Sequence, residues 1–367
     1  MDNKFAFIIH PIDVADMSRK FKFLKKLPKS AVEKGIKHLP PIKVSDIEGV
    51  ESRYNKLEGN FVACTLTSNQ IASLPTKFVL KKIIKAGRLS EKMGAKILGL
   101  GAMTSVVGDA GITISKNLNI PVTTGNSYTV ASAIEGTKKA ASLMGHSLNS
   151  CEITIVGATG SIGSVTARIL AREARSLNLI ARNQRRLERL AKIILQETGT
   201  PIKIPTTSKE GIKKADIIIS VSGSVDCVIN PEDIKSGAVV CDVARPRDVS
   251  QKVQAVRNDV FVFEGGLINV PGDVDFNFNF GFPPKTAYAC MAETMILALE
   301  NRFESYTLGR DLSVGQVDEI NKLAKKHGFT LGGFRSFEKA VDESEIEEIK
   351  RNALVNSLNL KKSIAKV

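Results

Sequence analysis

Three glycines spaced three apart, Gly157, Gly160 and Gly163, follow a β-branched run that starts at Cys151. This pattern predicts a strand, a tight turn and a helix start, where backbone amides and the helix dipole can hold a pyrophosphate. A lone glycine turn is weak evidence, so the interpretation depends on the flanking chain. The candidate cofactor-binding residues of this turn are Gly157, Thr159, Gly160, Ser161, Ile162 and Gly163.

The next apolar run, 177–181, ends in Arg182 and Asn183, where an NAD-binding site would place an acidic residue. Arg182 can instead pair with a 2′-phosphate through its planar guanidinium, which favours NADPH as the cofactor. The alternative is that the arginines here only solvate a helix start. Ser222 and Gly265 follow later apolar runs, and we expect both to lie beside the nicotinamide half of the cofactor.

A second candidate group for chemistry is the thiol of Cys290. Pro283 and Pro284 suit a helix start, and the spacing predicts a helix from Lys285 that places Cys290 near the second turn. There the helix dipole gives modest help to a thiolate. On these residues alone, however, a cysteine among alanines and methionines is typical of a buried core.

Two amino-terminal loops, 101–105 and 123–129, follow strand-like runs and are rich in hydroxyl and amide side chains. Ligand sites in open α/β sheets lie beyond the carboxyl ends of strands, so these loops are candidates for lining the substrate site. Ordinary turn chemistry accounts for the same residues equally well.

The chain has 367 residues, 43% of them hydrophobic, and a net charge of +14. No apolar run of about 18 residues occurs, and Met1 is followed directly by a strand-like run, so we expect a cytoplasmic protein. Five scattered cysteines and four histidines lack metal-ligand spacing, so no metal is expected. The basic stretch 19–43 fits an anionic membrane surface, a nucleic acid, an acidic protein, or simply a solvated face. No nucleic-acid-binding signature supports the second of these.

Several stretches, in order along the chain, together resemble the cyanobacterial long-chain fatty acyl-(acyl-carrier-protein) reductases. They are 99–105, the TTGN sequence 123–126, the glycine turn, 181–184, 264–266, the ACMAE sequence 289–293, and 327–329. The resemblance implies that Cys290 takes an acyl group from a thioester of acyl carrier protein or coenzyme A, and that NADPH reduces it to an aldehyde. Tyr128 stands where that family usually has a histidine.

The resemblance also leads to roles for other residues. We expect backbone amides or the hydroxyls of Thr123, Thr124 and Ser105 to hold the developing oxyanion, and Glu293 either to orient a neighbour or to be structural. The basic stretch would meet the acidic carrier or a membrane surface. The main alternative is an NADP-dependent dehydrogenase of a small hydroxy or amino acid, because the layout and the turn 242–248 also resemble shikimate dehydrogenase and glutamyl-tRNA reductase relatives. Such an enzyme needs a Lys–Asp pair, for which Lys96 or Lys116 with Asp109 are loose candidates.

These patterns predict an α/β protein with a Rossmann-type doubly wound parallel sheet and a smaller α/β substrate domain. We expect five parts along the chain. They are a substrate domain at 1–127, a linking helix at 128–148, an NADP-binding domain at 149–282, a helical segment carrying Cys290 at 283–330 that packs back on the substrate domain, and a helical extension at 331–367.

Overall fold

The structure is a computed structural model and describes residues 3–20, 28–224 and 227–364. Residues 21–27 of the basic stretch lie outside the described residues, so its proposed partners stay predictions. The chain forms two compact units. The first unit is Met1–Tyr128 with Ile268–Thr330, and the second is Thr129–Leu267 with Leu331–Val367.

The helices and strands follow one another in three stretches of the chain. The first contains β1 (Lys4–Ile9), α1 (Val14–Lys20), α2 (Lys29–Ile36), β2 (Ile42–Glu51), β3 (Lys56–Ala63), α3 (Ser68–Ser73), α4 (Thr76–Lys92), β4 (Ile97–Leu100), α5 (Met103–Val106), α6 (Ile112–Ser115), β5 (Val122–Thr123) and α7 (Asn126–Met144). The second contains β6 (Ile153–Val156), α8 (Ser161–Leu170), β7 (Leu177–Ile180), α9 (Gln184–Thr198), β8 (Ile202–Lys203), α10 (Ser208–Lys214), β9 (Ile217–Ser220), β10 (Val239–Asp242), α11 (Lys252–Val256) and β11 (Phe261–Glu264). The third contains β12 (Leu267–Asn269), β13 (Gly272–Asp275), β14 (Thr286–Tyr288), α12 (Ala289–Leu299), α13 (Val314–His327), β15 (Thr330–Leu331), β16 (Phe334–Ser336), β17 (Lys339–Val341) and α14 (Glu343–Ile364).

The first unit is built on a six-stranded sheet in the order β13-β2-β3-β1-β4-β5. Strands β3, β1, β4 and β5 run parallel, so their carboxyl ends, and the loops that follow them, lie at one edge. Strand β2 runs antiparallel to β3 and was not predicted. Its buried and exposed residues largely alternate, and its charged residues interrupt the apolar run that a fully buried strand shows.

Helix α12 packs on this sheet and is buried on all sides, since ten of its 11 residues are buried. The prediction that the helix starts at Lys285 was wrong. Lys285 has a left-handed φ of 61°, which a helix residue cannot adopt, and the following residues form strand β14. The helix therefore begins at Ala289, and Cys290 is its second residue.

The second unit contains a fully parallel six-stranded sheet in the order β11-β10-β9-β6-β7-β8. The four residues of each of its strands β6, β7, β9, β10 and β11 are buried, as strands covered on both faces require. The strand order is that of a doubly wound dinucleotide-binding sheet, so the predicted fold class is confirmed.

The carboxyl-terminal residues belong to the second unit rather than forming a separate part. Phe334 of β16 packs its ring 5.2 Å from that of Phe261 and 5.1 Å from that of Phe263. Asn356 of α14 donates a hydrogen bond to Asp259 at 3.1 Å. The helical extension predicted at 331–367 contains the β16–β17 hairpin first, and its helix α14 begins at Glu343.

The division into units differs from the five predicted parts in two further ways. Residues 268–282, predicted in the NADP-binding domain, are part of the first unit. Helix α7 begins at Asn126, and most of it belongs to the second unit, whereas we expected a separate linking helix. Across the described ranges, no helix has both the length and the apolar character needed to cross a bilayer.

Gly99 of β4 allows the close approach of α12. A methyl group at this position would lie 2.1 Å from Thr294 Oγ1 and 2.4 Å from Phe7 Cδ2. We predict that Gly99→Ala lowers the free energy of unfolding by about 1–3 kcal/mol, because overpacking a dense core forces neighbours to shift. Urea denaturation measures this change. Gly35→Ala is the control, since nothing lies within 4 Å of a methyl group there, and a loss of stability as large as that of Gly99→Ala would contradict the explanation.

Candidate active site

The glycine turn of the second unit has the geometry that close approach of a ligand needs. Gly157 has a φ of 84°, and a methyl group there would lie 2.8 Å from Val221 O. A methyl group at Gly163 would lie 2.4 Å from Gly157 O, so the first turn of α8 packs directly on the turn. Both positions therefore require glycine, as the sequence predicted.

The start of α8 fits a phosphate group. Gly160 is the N-cap residue and supplies no side chain, so no side-chain acceptor covers the first N–H groups of the helix. Ser161 Oγ is buried and has no hydrogen-bond partner among the described residues. Thr159 and Ile162 are partly exposed beside it. An orphaned hydroxyl and uncapped amides at a helix N-terminus suit the pyrophosphate of a dinucleotide.

Arg182 and Asn183 lie close to this turn, because the N–H groups of Gly157 and Ala158 donate to Ile180 O of the neighbouring strand. Asn183 caps α9 by accepting a hydrogen bond from Arg186 N at 3.0 Å. The Arg182 side chain is exposed. It is thus available to a 2′-phosphate, while Asn183 has a capping role of its own.

Ser222 and Gly265, both expected beside the nicotinamide, have different positions. Ser222 lies against the glycine turn, with its backbone N 2.9 Å from the position of a methyl group on Gly157. Gly265 follows β11, which is the edge strand and is separated from β6 by β10 and β9. The structure therefore brings Ser222, but not Gly265, to the glycine turn.

Two buried aspartates that our sequence reasoning did not assign support this region. Asp248 accepts hydrogen bonds from Ser220 Oγ, Ser222 N and Ser222 Oγ, which fixes the loop after β9. Asp242 accepts from Val249 N at 3.0 Å, and burial raises its pKa to about 6 despite the nearby Arg245. The sequence indicates a turn at 242–248, but it does not predict the hydrogen bonds that Asp242 and Asp248 accept.

The five cysteines differ in how deeply they are buried, and none of them forms a disulfide in the described structure. Burial raises the pKa of Cys64 to about 11 and that of Cys241 to about 12, and it also raises the pKa of Cys151. A buried thiol with a raised pKa is a poor nucleophile. Cys227 is exposed and Cys290 is partly exposed, whereas the other three cysteines are buried.

Cys290 lies in the first turn of α12, directly against the loop that follows β5. Gly125 in that loop has a φ of 75°, and a methyl group there would lie 2.2 Å from Cys290 Cβ. Only glycine can bring the loop backbone this close. The TTGN loop and the cysteine, which are distant in sequence, therefore form one site at the carboxyl edge of the first unit's sheet.

Glu293, one turn along α12, has no exposed surface and accepts four hydrogen bonds. Ser127 Oγ donates at 2.6 Å, Tyr128 N at 2.9 Å and Thr307 Oγ1 at 3.0 Å, and Thr123 Oγ1 also donates. A carboxylate can satisfy all four donors, and the start of α7 favours its negative charge. Glu293 thus ties the loop after β5 to the helix that carries Cys290.

The hydroxyls expected to hold an oxyanion are used inside the protein. Thr123 donates to Glu293, and Thr124 donates to Thr307 O at 2.6 Å. Ser105 donates to Ala102 O at 2.7 Å. The expectation that these hydroxyls bind substrate therefore does not match the geometry, and backbone amides are the remaining candidates among those we named.

The family model for shikimate/quinate 5-dehydrogenase matches residues 138–264. The chain is 27% identical, over 95% of its length, to aminotransferase PigE of a Serratia species, and it spans only 42% of that relative. It is 26% identical over 79% of its length to the long-chain acyl-(acyl-carrier-protein) reductase of Synechococcus elongatus, and it spans 87% of that protein.

Among solved structures, L-tryptophan dehydrogenase of Nostoc punctiforme aligns with 97% of the chain and 89% of its own, at 13% identity and a TM-score of 0.39. A likeness at this level gives no indication of substrate. The matched family segment lies in the second unit, where the parallel sheet and glycine turn are found. The strand order of this sheet and the glycine turn define a Rossmann-type site for a nicotinamide dinucleotide.

Because Glu293 accepts four hydrogen bonds, we expect the substitution Glu293→Gln to destabilise the folded protein. A glutamine amide turns one acceptor into a donor, which would face hydroxyl or amide donors inside a buried site. We predict a loss of about 1–3 kcal/mol in the free energy of unfolding, measured by urea denaturation. Glu135→Gln is the control, because Glu135 is exposed on α7. Equal stability of Glu293→Gln and the parent protein would refute the inferred role.

Proposed function

We propose that the protein reduces a long-chain fatty acyl thioester to an aldehyde with NADPH, through an acyl group held on Cys290. The observation that carries the proposal is the placement of Cys290, which is partly exposed in the first turn of α12 and in contact with the TTGN loop. A catalytic cysteine needs access and an electropositive setting, and a helix N-terminus supplies the second. The likeness to the acyl reductase of Synechococcus elongatus supports the same reaction.

A row of aromatic side chains ends beside Cys290 and suits an alkyl chain. The rings of Phe280 and Phe282 are 5.1 Å apart, and those of Phe282 and Tyr288 are 4.3 Å apart. Phe278 lies 6.4 Å from Phe280. All four side chains are partly exposed, and Tyr288 is the N-cap residue of the helix that carries Cys290. Partly exposed aromatic rings gain free energy when an apolar ligand covers them.

The proposed chemistry has two steps at one sulfur atom. The Cys290 thiol loses its proton and attacks the thioester carbonyl as a thiolate; a new carbon–sulfur bond forms, the bond to the carrier sulfur breaks, and the carrier leaves as a thiol that has taken up a proton in place of the one Cys290 lost. Backbone N–H groups in the first turn of α12 are our candidates for stabilising the oxyanion. Reduction of the acyl group then breaks the bond to Cys290 and releases the aldehyde.

The cofactor half of the reaction is assigned to the second unit. Residues of the glycine turn and the start of α8 hold the pyrophosphate, Ser222 borders the turn, and Arg182 pairs with the 2′-phosphate. When bound, NADPH supplies the hydride that reduces the acyl group. Glu293 is a positioning residue, because it acts through the loop and does not touch the reacting atoms.

The alternative dehydrogenase of a small hydroxy or amino acid finds less support. Lys96 precedes β4 and its ammonium lies 5.6 Å from the centre of the Phe303 ring, whereas Asp109 comes after β4, in the loop between α5 and α6. These two residues are therefore at opposite ends of the strand. Asp109 is engaged locally: against the effect of burial, hydrogen bonds from Thr113 N and Oγ1 lower its pKa, with a smaller contribution from the charge of Lys116.

We predict that long-chain acyl thioester, added without NADPH, increases the protein mass by one acyl group on Cys290. Intact-mass spectrometry with peptide mapping measures the adduct, and later addition of NADPH should release it as aldehyde. Cys290→Ala should abolish both the adduct and the reduction. Cys227→Ser, which changes the exposed cysteine, should leave both unchanged. Full activity in Cys290→Ala would refute the covalent route.

The exposed Arg182 predicts the cofactor preference. Arg182→Ala should raise KM for NADPH at least tenfold, because the bidentate contact to the 2′-phosphate is lost, and should leave KM for NADH within about twofold. Steady-state kinetics with both cofactors measures the difference. Arg175→Ala is the control, since Arg175 precedes β7 and lies at the opposite end of that strand. Equal losses with NADPH and NADH would show that Arg182 does not read the phosphate.

A further inference from the structure

Helix α4 of the first unit carries a row of exposed cations with no charge partner. Its members recur every three or four residues, so they share one face of the helix. They are Lys77, Lys81, Lys85, Arg88 and Lys92. We call this face the α4 basic row. No ion pair to any of these five side chains is found within the described ranges.

The rest of α4 does not neutralise this row. Its opposite face is buried in the core through Val79, Ile83 and Ala86. The one acidic residue of the helix, Glu91, is used to accept hydrogen bonds from Asn119 N and Ile120 N. Like charges four residues apart destabilise a helix, so folding alone gives no reason for the arrangement.

The amino-terminal end of the row lies close to the proposed thioester site. A methyl group at Gly108, in the loop between α5 and α6, would lie 3.3 Å from Thr76 Cγ2 at the start of α4. A methyl group at Gly111 in the same loop would lie 3.4 Å from Thr124 Cγ2, next to Gly125. One loop therefore connects the start of α4 to the residues that contact Cys290.

From these observations we infer that the α4 basic row docks the acidic surface of the protein that carries the acyl thioester. The inference rests on the proposed function. The row extends roughly 22 Å along the helix, which offers a linear set of contacts to a single acidic helix or edge. A membrane would need a continuous exposed apolar face, whereas the apolar face of α4 is buried through Val79, Ile83 and Ala86, and Phe78 is the single large apolar side chain that the described helix exposes. Charge complementarity of this kind acts mainly on association.

The test compares two double variants with the same change in charge. K81E/K85E reverses the centre of the row, and K322E/K325E reverses two exposed lysines of α13 in the same unit. The substrates are a long-chain acyl thioester on acyl carrier protein and the same acyl group on N-acetylcysteamine, which has no protein surface. Thermal melting checks that both variants are folded.

For K81E/K85E, we expect kcat/KM for the acyl carrier protein substrate to fall at least tenfold, mostly through KM, while kcat/KM for the small thioester stays within twofold. K322E/K325E should match the parent protein with both substrates. Added salt should raise KM for the carrier in the parent protein and have little effect in K81E/K85E.

The outcomes separate the docking inference from the proposed function. If the parent protein reduces neither thioester, the proposed function fails. If the small thioester is reduced but K81E/K85E leaves carrier kinetics unchanged, the docking inference is overturned. Binding of anionic phospholipid vesicles or duplex DNA that is lost in K81E/K85E, with unchanged carrier kinetics, would reassign the row to that partner.

Discussion

The first unit depends on one buried carboxylate. Glu293 is surrounded by hydrogen-bond donors from the loop after β5, from the start of α7 and from Thr307, and it is the acceptor that they share. A buried charge is costly unless its hydrogen bonds are made, so the loop and helix are held in one arrangement. That arrangement places Gly125 against Cys290. The chemistry proposed for the thiol therefore relies on a residue that never meets the substrate.

The second unit combines close backbone packing with a buried carboxylate of its own, Asp248. The glycine turn packs closely because Gly157 and Gly163 have no side chains. The neighbouring loop is held by hydrogen bonds from Ser220 and Ser222 to Asp248. A dinucleotide is recognised there by amides at a helix start, which any sequence of small residues can provide. For this reason a cofactor site is easier to identify from the sequence than a substrate site, because the specificity of a substrate site depends on particular side chains.

The parts of the protein that could be predicted from sequence are those with local signals. Apolar runs of four residues predicted the buried parallel strands, and the glycine spacing predicted the turn after β6. The sequence left open whether Glu293 orients a neighbour or is structural, and its partners could not be predicted, because its hydrogen bonds join residues 165 and 170 apart in the chain. The start of α12 was predicted too early, since its alanine-rich sequence suits a helix and nothing local reveals the left-handed backbone of Lys285.

Each unit is assembled from two separate segments of the chain. The first unit gains α12, the helix with Cys290, only after the whole parallel sheet of the second unit has been synthesised. The second unit in turn is completed by β16, β17 and α14, which come last. During synthesis on the ribosome, neither unit can therefore finish folding before most of the other has emerged, and a shortened chain ending near residue 330 would leave the aromatic surface around Phe261 and Phe263 without its cover.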